Sequence, residues 1–131
     1  MNTININGIE YVPKTEAIMA RAEELDGMTY MMVRTYSAGV FAGYVDINNL
    51  INNLSNNGKC GIVHRARRIW YWDGAASLSE LATYGTSKPE NCKFPCEVEE
   101  VYLSEIIELI PITERAKKSI EEVTEWHMRE E

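Results

Sequence analysis

The sequence predicts an α+β fold: a mainly antiparallel β-sheet with an N-terminal hairpin, a short helix after a Trp-rich strand, and a C-terminal helix. Three observations carry that prediction. Asn7-Gly8 stands between Ile4-Asn5-Ile6 and Ile9-Glu10-Tyr11-Val12, and Asn-Gly is the strongest two-residue hairpin signal. Met28 to Tyr36 and Val40 to Val45 are strand-like runs joined by Ser37-Ala38-Gly39, which suits an antiparallel pair. The stretches after Asp73-Gly74 and after Pro111 each open on a hydroxyl side chain placed to cap a helix.

In chain order, Thr3 to Val12 reads as the hairpin, ended by Pro13. Lys14 to Leu25 carries helix formers with Ile18, Ala22 and Leu25 on one stripe, and Asp26-Gly27 stops it. In the strand from Met28, the side chains Tyr30, Met32, Arg34 and Tyr36 share one face. Gly39 and Gly43 fall where a strand glycine marks a turn, a bulge or a close approach. Asp46 begins a short amphipathic helix over 46–55, because Ile47, Leu50, Ile51 and Leu54 recur at helical spacing while four asparagines fill the other face. Asparagine is a poor helix former, so this segment depends on docking its apolar edge, as an insertion or lid.

Lys59 to Trp72 reads as one long strand, bulged near Arg65 to Arg68, with Arg68 on the face of Trp70 and Trp72 in reach of cation–π contact. Asp73-Gly74 breaks it. Ser77 and Glu80 then form a capping-box pattern for a helix over Ser77 to Thr83. Gly85 to Asn91 is a polar loop. Cys92 to Leu103 and Ile106 to Ile110 read as two further strands joined at Ser104-Glu105, with a helical alternative over Leu103 to Leu109. Thr113 caps a last helix with Ala116, Ile120 and Val123 on its stripe, and Glu114/Lys118 and Lys117/Glu121 are favourable i,i+4 pairs. The tail 126–131 reads as frayed.

The 131 residues make one domain, and 45% hydrophobic with 25% charged residues describes an ordinary globular chain. No apolar run reaches membrane-spanning length, and no basic-then-apolar leader opens the chain, so no membrane partner is expected. A net charge of −7 argues against long nucleic acid, whose backbone needs a broad basic surface. The charge is uneven, however. Lys59 to Arg68 holds four cations and no acid, while Glu97 to Glu131 is strongly acidic, and a compact basic patch suits a small anionic ligand.

Cys60, Cys92 and Cys96 are an odd count, against a disulfide framework. Cys60-x-x-x-His64 and Cys92-x-x-x-Cys96 are looser than usual zinc knuckles, and Pro95 interrupts the second, so no metal and no cofactor is expected. Only two histidines are present, no Ser-His-Asp order or Walker loop appears, and the adjacent pairs Glu99-Glu100 and Glu121-Glu122 diverge, so no catalytic residues are expected.

The runs Val33-Arg34-Thr35-Tyr36-Ser37-Ala38-Gly39-Val40-Phe41-Ala42-Gly43 and Ala66-Arg67-Arg68-Ile69-Trp70-Tyr71-Trp72-Asp73-Gly74-Ala75 carry a resemblance, with Leu78-Ser79-Glu80-Leu81-Ala82, Pro89-Glu90-Asn91-Cys92-Lys93 and Ile110-Pro111-Ile112-Thr113-Glu114. Together they resemble a family of small bacteriophage proteins that includes the Thoeris anti-defence sponges. The resemblance implies a protein of the infected host's cytoplasm that captures, without cleaving, the cyclic ADP-ribose isomers made by TIR-domain enzymes. It implies homo-oligomers, dimers assembling to a hexamer, with ligand pockets at the dimer contact. Some members of that family also take up cyclic oligonucleotides of the CBASS system at separate sites. The Asn-rich helix departs from the shorter loop the resemblance leads one to expect.

A cyclic ADP-ribose isomer offers a base, two riboses and a diphosphate, so its binder needs a flat plane, diphosphate donors and an amide for an edge. Arg34, Arg68 and Arg115 are candidate phosphate or stacking cations. Gly74, Ala75 and Ala76 offer backbone N–H groups at a helix entrance, with Ser77 as a further donor. Tyr36, Trp70 or Trp72 can stack, and Asn91 has both donor and acceptor for an edge. The alternative reading is an inhibitor acting by direct protein–protein contact with a host factor, for which the acidic C-terminal third is the feature to weigh.

Overall fold

A computed structural model of the chain describes residues 4–6, 9–11, 20–50 and 60–130. Strands β1 (Ile4–Ile6) and β2 (Ile9–Tyr11) pair antiparallel with Ile6 opposite Ile9, as the expected two-residue connection requires; Asn7-Gly8 itself lies outside the described residues. The main sheet holds β3 (Thr29–Thr35), β4 (Val40–Val45), β5 (Gly61–Arg68), β6 (Glu97–Leu103) and β7 (Ile106–Pro111). Their spatial order is β6-β5-β4-β3-β7, every pair antiparallel. Helix α1 is Leu78–Tyr84 and α2 is Glu114–Glu122. The α+β class, with its antiparallel sheet, N-terminal hairpin, short helix and C-terminal helix, is the one the sequence predicts.

The order contains a geometric constraint. β6 and β7 are opposite edges of the sheet yet are joined by Ser104-Glu105 alone. A flat five-stranded sheet measures about 19 Å across, whereas the chain from Leu103 to Ile106 reaches about 11 Å. The sheet therefore coils until two of its corners meet, and a side chain added at Gly61 would indeed fall 3.2 Å from Ile106 Cδ1.

Coiling creates two cores. Inside the coil lie Met31, Val33, Phe41, Val45, Val63, Ala66, Leu103 and Ile106. Between the sheet's other face and the helices lie Met32, Ala42, Ile69, Leu81, Phe94, Ile112, Ala116 and Ile120. Leu50, from a helical turn at 47–50 started by Asp46 accepting from the Asn49 N–H at 3.2 Å, joins the inner core. This is the beginning of the expected amphipathic helix; residues 51–59 lie outside the described residues.

The bulge expected near Arg65 is present. The β4–β5 register shifts between Ala42 and Tyr44, and Arg65 takes φ 51. Gly43 faces this irregularity, where a Cβ would come 2.5 Å from the Val63 side chain and 2.8 Å from the His64 carbonyl oxygen. Close backbone approach explains this glycine.

Four expectations are corrected. First, within Lys14 to Leu25, residues 20–25 are extended, not helical: Arg21 bridges Thr113, Ala22 N–H donates to Ile112 O at 3.0 Å, and Glu114 N–H donates to Ala20 O at 2.9 Å. Ladder bonds to the segment before α2 override local helix propensity. The remainder of that stretch, 12–19, is outside the described residues. Second, β5 ends at Arg68, not Trp72: Ile69 N–H makes the last bond to β4, at Val40 O, and Tyr71 pairs instead with Lys93. Third, Cys92 to Cys96 precedes β6 as a short connection after a 3-10 turn at Pro89–Asn91. Fourth, the tail is anchored where it begins: Phe94 bridges Glu125 and the Trp126 N–H donates to Phe94 O at 3.0 Å.

Arg67 explains how the sheet holds α2. Its guanidinium, 9% exposed, donates to the carbonyl oxygens of Pro95, Phe94, Ile120 and Val123 at 2.8–3.1 Å. Two of these acceptors are carbonyls at the end of α2, which no turn of helix follows, so the cation caps the negative end of the helix dipole. Burial lowers its pKa from the ordinary arginine value, and Tyr30, Glu125 and Glu97 offset part of that shift.

Candidate functional site

The loop after β5 folds around one carboxylate. Asp73 accepts from the Gly74 N–H at 2.8 Å and from Asn91 Nδ2 at 2.9 Å, and its carbonyl accepts from the Thr86 hydroxyl. The Asn91 bond, then the Gly74 amide, hold the Asp73 carboxyl below its ordinary pKa. Gly74 has φ 82, and a Cβ there would lie 2.5 Å from the Lys88 nitrogen, so glycine is the residue that fits. The Cys92 thiol is buried beneath this loop, 3.6 Å from the Asp73 carbonyl, the Thr86 hydroxyl and the Lys88 carbonyl. Among the described residues no three His, Cys, Asp or Glu side chains gather as a metal site.

α1 starts as the capping box predicts. Ser77 Oγ accepts from the Glu80 N–H at 3.1 Å, and Glu80 Oε2 reaches back to the Ala76 N–H at 3.2 Å. The consequence for ligand binding is direct. The amides of Gly74 and Ala76 are engaged by the chain's own carboxylates, so the helix entrance already holds anions of its own.

The other candidates are distributed around this loop. Trp72 packs on the helix-side core and donates its indole N–H to Ala75 O at 3.3 Å. Arg68 lies 4.5 Å over the Phe41 ring, on the inner-core side, and not on the tryptophans as expected, because the strand alternation stops at Arg68. Arg34 follows Met32 on the helix side of the sheet, where it pairs with Glu108 at 2.7 Å. Arg34 and Arg68 therefore occupy opposite faces. Tyr36, 79% exposed, stands in the β3–β4 connection, and Trp70, 64% exposed, follows β5. Trp72, Gly74, Ala76, Ser77 and Asn91 form one cluster, with Arg34, Tyr36 and Arg68 outside it.

Arg115 opens a different place. On α2 its guanidinium lies 5.3 Å over the Tyr84 ring at the end of α1. The two side a cleft of about 570 Å³ with Thr86, Pro89, Glu114, Lys118, Ser119 and Glu122. α2 is aimed here by its cap: Thr113 Oγ1 accepts from the Ala116 N–H at 3.0 Å and donates to the Thr83 carbonyl at 2.6 Å, locking the start of one helix to the end of the other. Ser119 Oγ accepts from the Thr86 N–H at 3.0 Å and fixes the floor. Of the two expected helix pairs, Lys117 and Glu121 come within 4.0 Å, whereas among the described residues Glu114 and Lys118 form no ion pair. Glu114 Oε2 is buried without a hydrogen-bond partner. A buried carboxylate oxygen with no donor is costly.

Sequence reasoning missed Tyr84, Glu114 and Lys118 as companions of Arg115. The signal available was Arg115 and Lys118 three apart on one helix face; the contribution of α1 depends on tertiary packing alone.

The profile of DUF6948, a domain of unknown function, matches residues 28–120. No curated protein and no solved structure matches the chain.

Proposed function

Because the chain belongs to the DUF6948 family, to which no activity is attached, its role has to be read from its own surface, and we propose that it is a sponge: it binds a cyclic ADP-ribose-type signalling nucleotide in the Tyr84–Arg115 cleft and holds it uncleaved. The observation that carries this reading is the composition of that cleft. The Tyr84 ring and the Arg115 guanidinium supply flat surfaces for a base, and Arg115 and Lys118 supply positive charge for a diphosphate. A volume of about 570 Å³ suits a ligand of that size.

Holding without processing fits the groups present. No histidine lines the cleft among the described residues, and the Ser119 hydroxyl is engaged by the Thr86 N–H. The biological setting is taken from the phage-protein resemblance: an anti-defence protein in the infected bacterium, assembled as a homo-oligomer, whose capture of the signal keeps the Thoeris effector inactive.

Calorimetry with a panel of cyclic ADP-ribose isomers and cyclic oligonucleotides tests this, followed by denaturation and recovery of the ligand. The expected result is a stoichiometric heat with at least one cyclic ADP-ribose isomer, intact ligand on release, and binding weakened about 10- to 100-fold by Arg115→Ala. Silence across the panel, or a cleaved product, overturns the proposal. Native mass spectrometry of the loaded protein counts subunits and ligands together.

A further inference from the structure

We infer that the free edge of β6 takes an extended, basic peptide segment of a partner protein as an added antiparallel strand. β6 is seven residues long and stands at the sheet edge, and among the described residues its strand pairing is with β5 alone. Folded proteins usually blunt such an edge with charged side chains, a bulge, a proline or a covering segment. β7, the opposite edge, ends on Pro111 and is irregular where it pairs with Arg34 and Thr35. β6 has no proline and pairs in even register, with Ile62 opposite Tyr102, His64 opposite Glu100 and Ala66 opposite Val98.

Among the described residues, apolar side chains beside that edge are also left uncovered. Tyr102 is 74% exposed and its pair Ile62 is exposed beside it on one face, while Val98, opposite Ala66, is exposed on the other, so an incoming strand meets apolar side chains on both of its faces. Charges that only guard an edge against aggregation leave no reason for exposed apolar side chains beside it.

Charge selects the occupant. The 35 residues from Glu97 to Glu131 hold eleven acids and four Lys or Arg, which equals the whole net charge of −7. Three of those acids, Glu97, Glu99 and Glu100, are on β6 itself, and Glu97 shares a cleft with Glu121 and Glu125. Near the strand, Arg65 approaches Glu97 at 3.5 Å and His64 approaches Glu100 at 3.9 Å, both at exposed or half-exposed positions. A second copy of this chain is a poor occupant: antiparallel self-pairing centred on the strand sets Glu100 against Glu100, and like charges directly opposite are destabilising. A strand that mixes lysine or arginine with apolar residues meets both the acids and the exposed Ile62, Val98 and Tyr102.

The test uses the full chain, ¹⁵N-labelled, and a capped heptapeptide alternating lysine and valine, beside the same peptide N-methylated at alternate amides. Amide shifts and slowed hydrogen exchange confined to Glu97–Leu103 and the facing residues of β5 are expected. The N-methylated peptide should bind about tenfold more weakly, as should the wild-type peptide to Glu99→Lys/Glu100→Lys, with a smaller loss for Tyr102→Ser. Equal binding of the two peptides reduces the effect to charge and overturns the inference. So does an absence of shifts, or β6 shifts that follow the protein's own concentration with a doubled mass in sedimentation.

Discussion

Two polar clusters meet at the 3-10 turn Pro89–Asn91, and they differ in what satisfies them. In the Asp73 loop, every bond described above closes on the chain itself: Asp73 with Gly74 and Asn91, Ser77 with Glu80, Glu80 with Ala76. In the α2 cleft, Arg115 and Lys118 stand beside a buried carboxylate oxygen that has no donor. The residue types in the two places are similar. The difference teaches that a guanidinium, a glycine turn or a helix entrance indicates a ligand only where the fold has left its hydrogen-bonding capacity unused.

That comparison can be broken by experiment. The largest effect is expected at Arg67, whose four carbonyl acceptors join the residues after the loop to the end of α2. Arg67→Met should cost about 3–5 kcal/mol in urea denaturation, and nucleotide binding should fall with the fold. Gly74→Ala comes next, at about 2–3 kcal/mol, because it combines a positive φ with a Cβ pressed against Lys88; below its melting temperature this variant should bind nucleotide as the wild type does. Ser77→Ala removes a cap and should cost about 1 kcal/mol, read by thermal denaturation, again with affinity unchanged. If either loop variant lost affinity in step with Arg115→Ala, the two clusters would be one site.

The smallest and sharpest test uses pH. Asp73 is a carboxyl whose folded pKa lies below its unfolded value, so its contribution to stability is present above the unfolded pKa of about 4 and is lost as pH falls through the folded value. The stability gap between the wild type and Asp73→Asn, measured by urea titration across pH 7 to 2, should therefore be constant down to about pH 4 and close below it. A gap that widened on acidification would mean that Asp73 does not anchor the loop.

What could be read from the sequence was local. Thr113 and Ser77 were legible as caps because a cap is decided within four residues, and the bulge near Arg65 and the alternation of β3 were legible because they repeat along one strand. The fate of Arg67 and Arg68 was not. Both read as surface-capable cations on opposite faces, and only the packing of α2 and Phe94 over one face decides that Arg67 is the structural clamp while Arg68 rests on Phe41. The same holds for residues 20–25, whose extended form depends on a partner segment some ninety positions later. Of the candidate site, Arg115 was named from residue type, but Tyr84 and the stranded Glu114 oxygen arise from how two helices meet.

The joining of opposite sheet edges through Ser104-Glu105 also dictates an order of events during synthesis. β3 gains one neighbour, β4, almost as soon as it is made, yet its other side waits for β7, some seventy residues downstream. Until Ile106 to Pro111 has left the ribosome, this largely buried strand is an open, apolar edge. Nascent chains halted before Ile106 are thus the sticky form of this protein, and the final third of the sequence is what renders the first third safe.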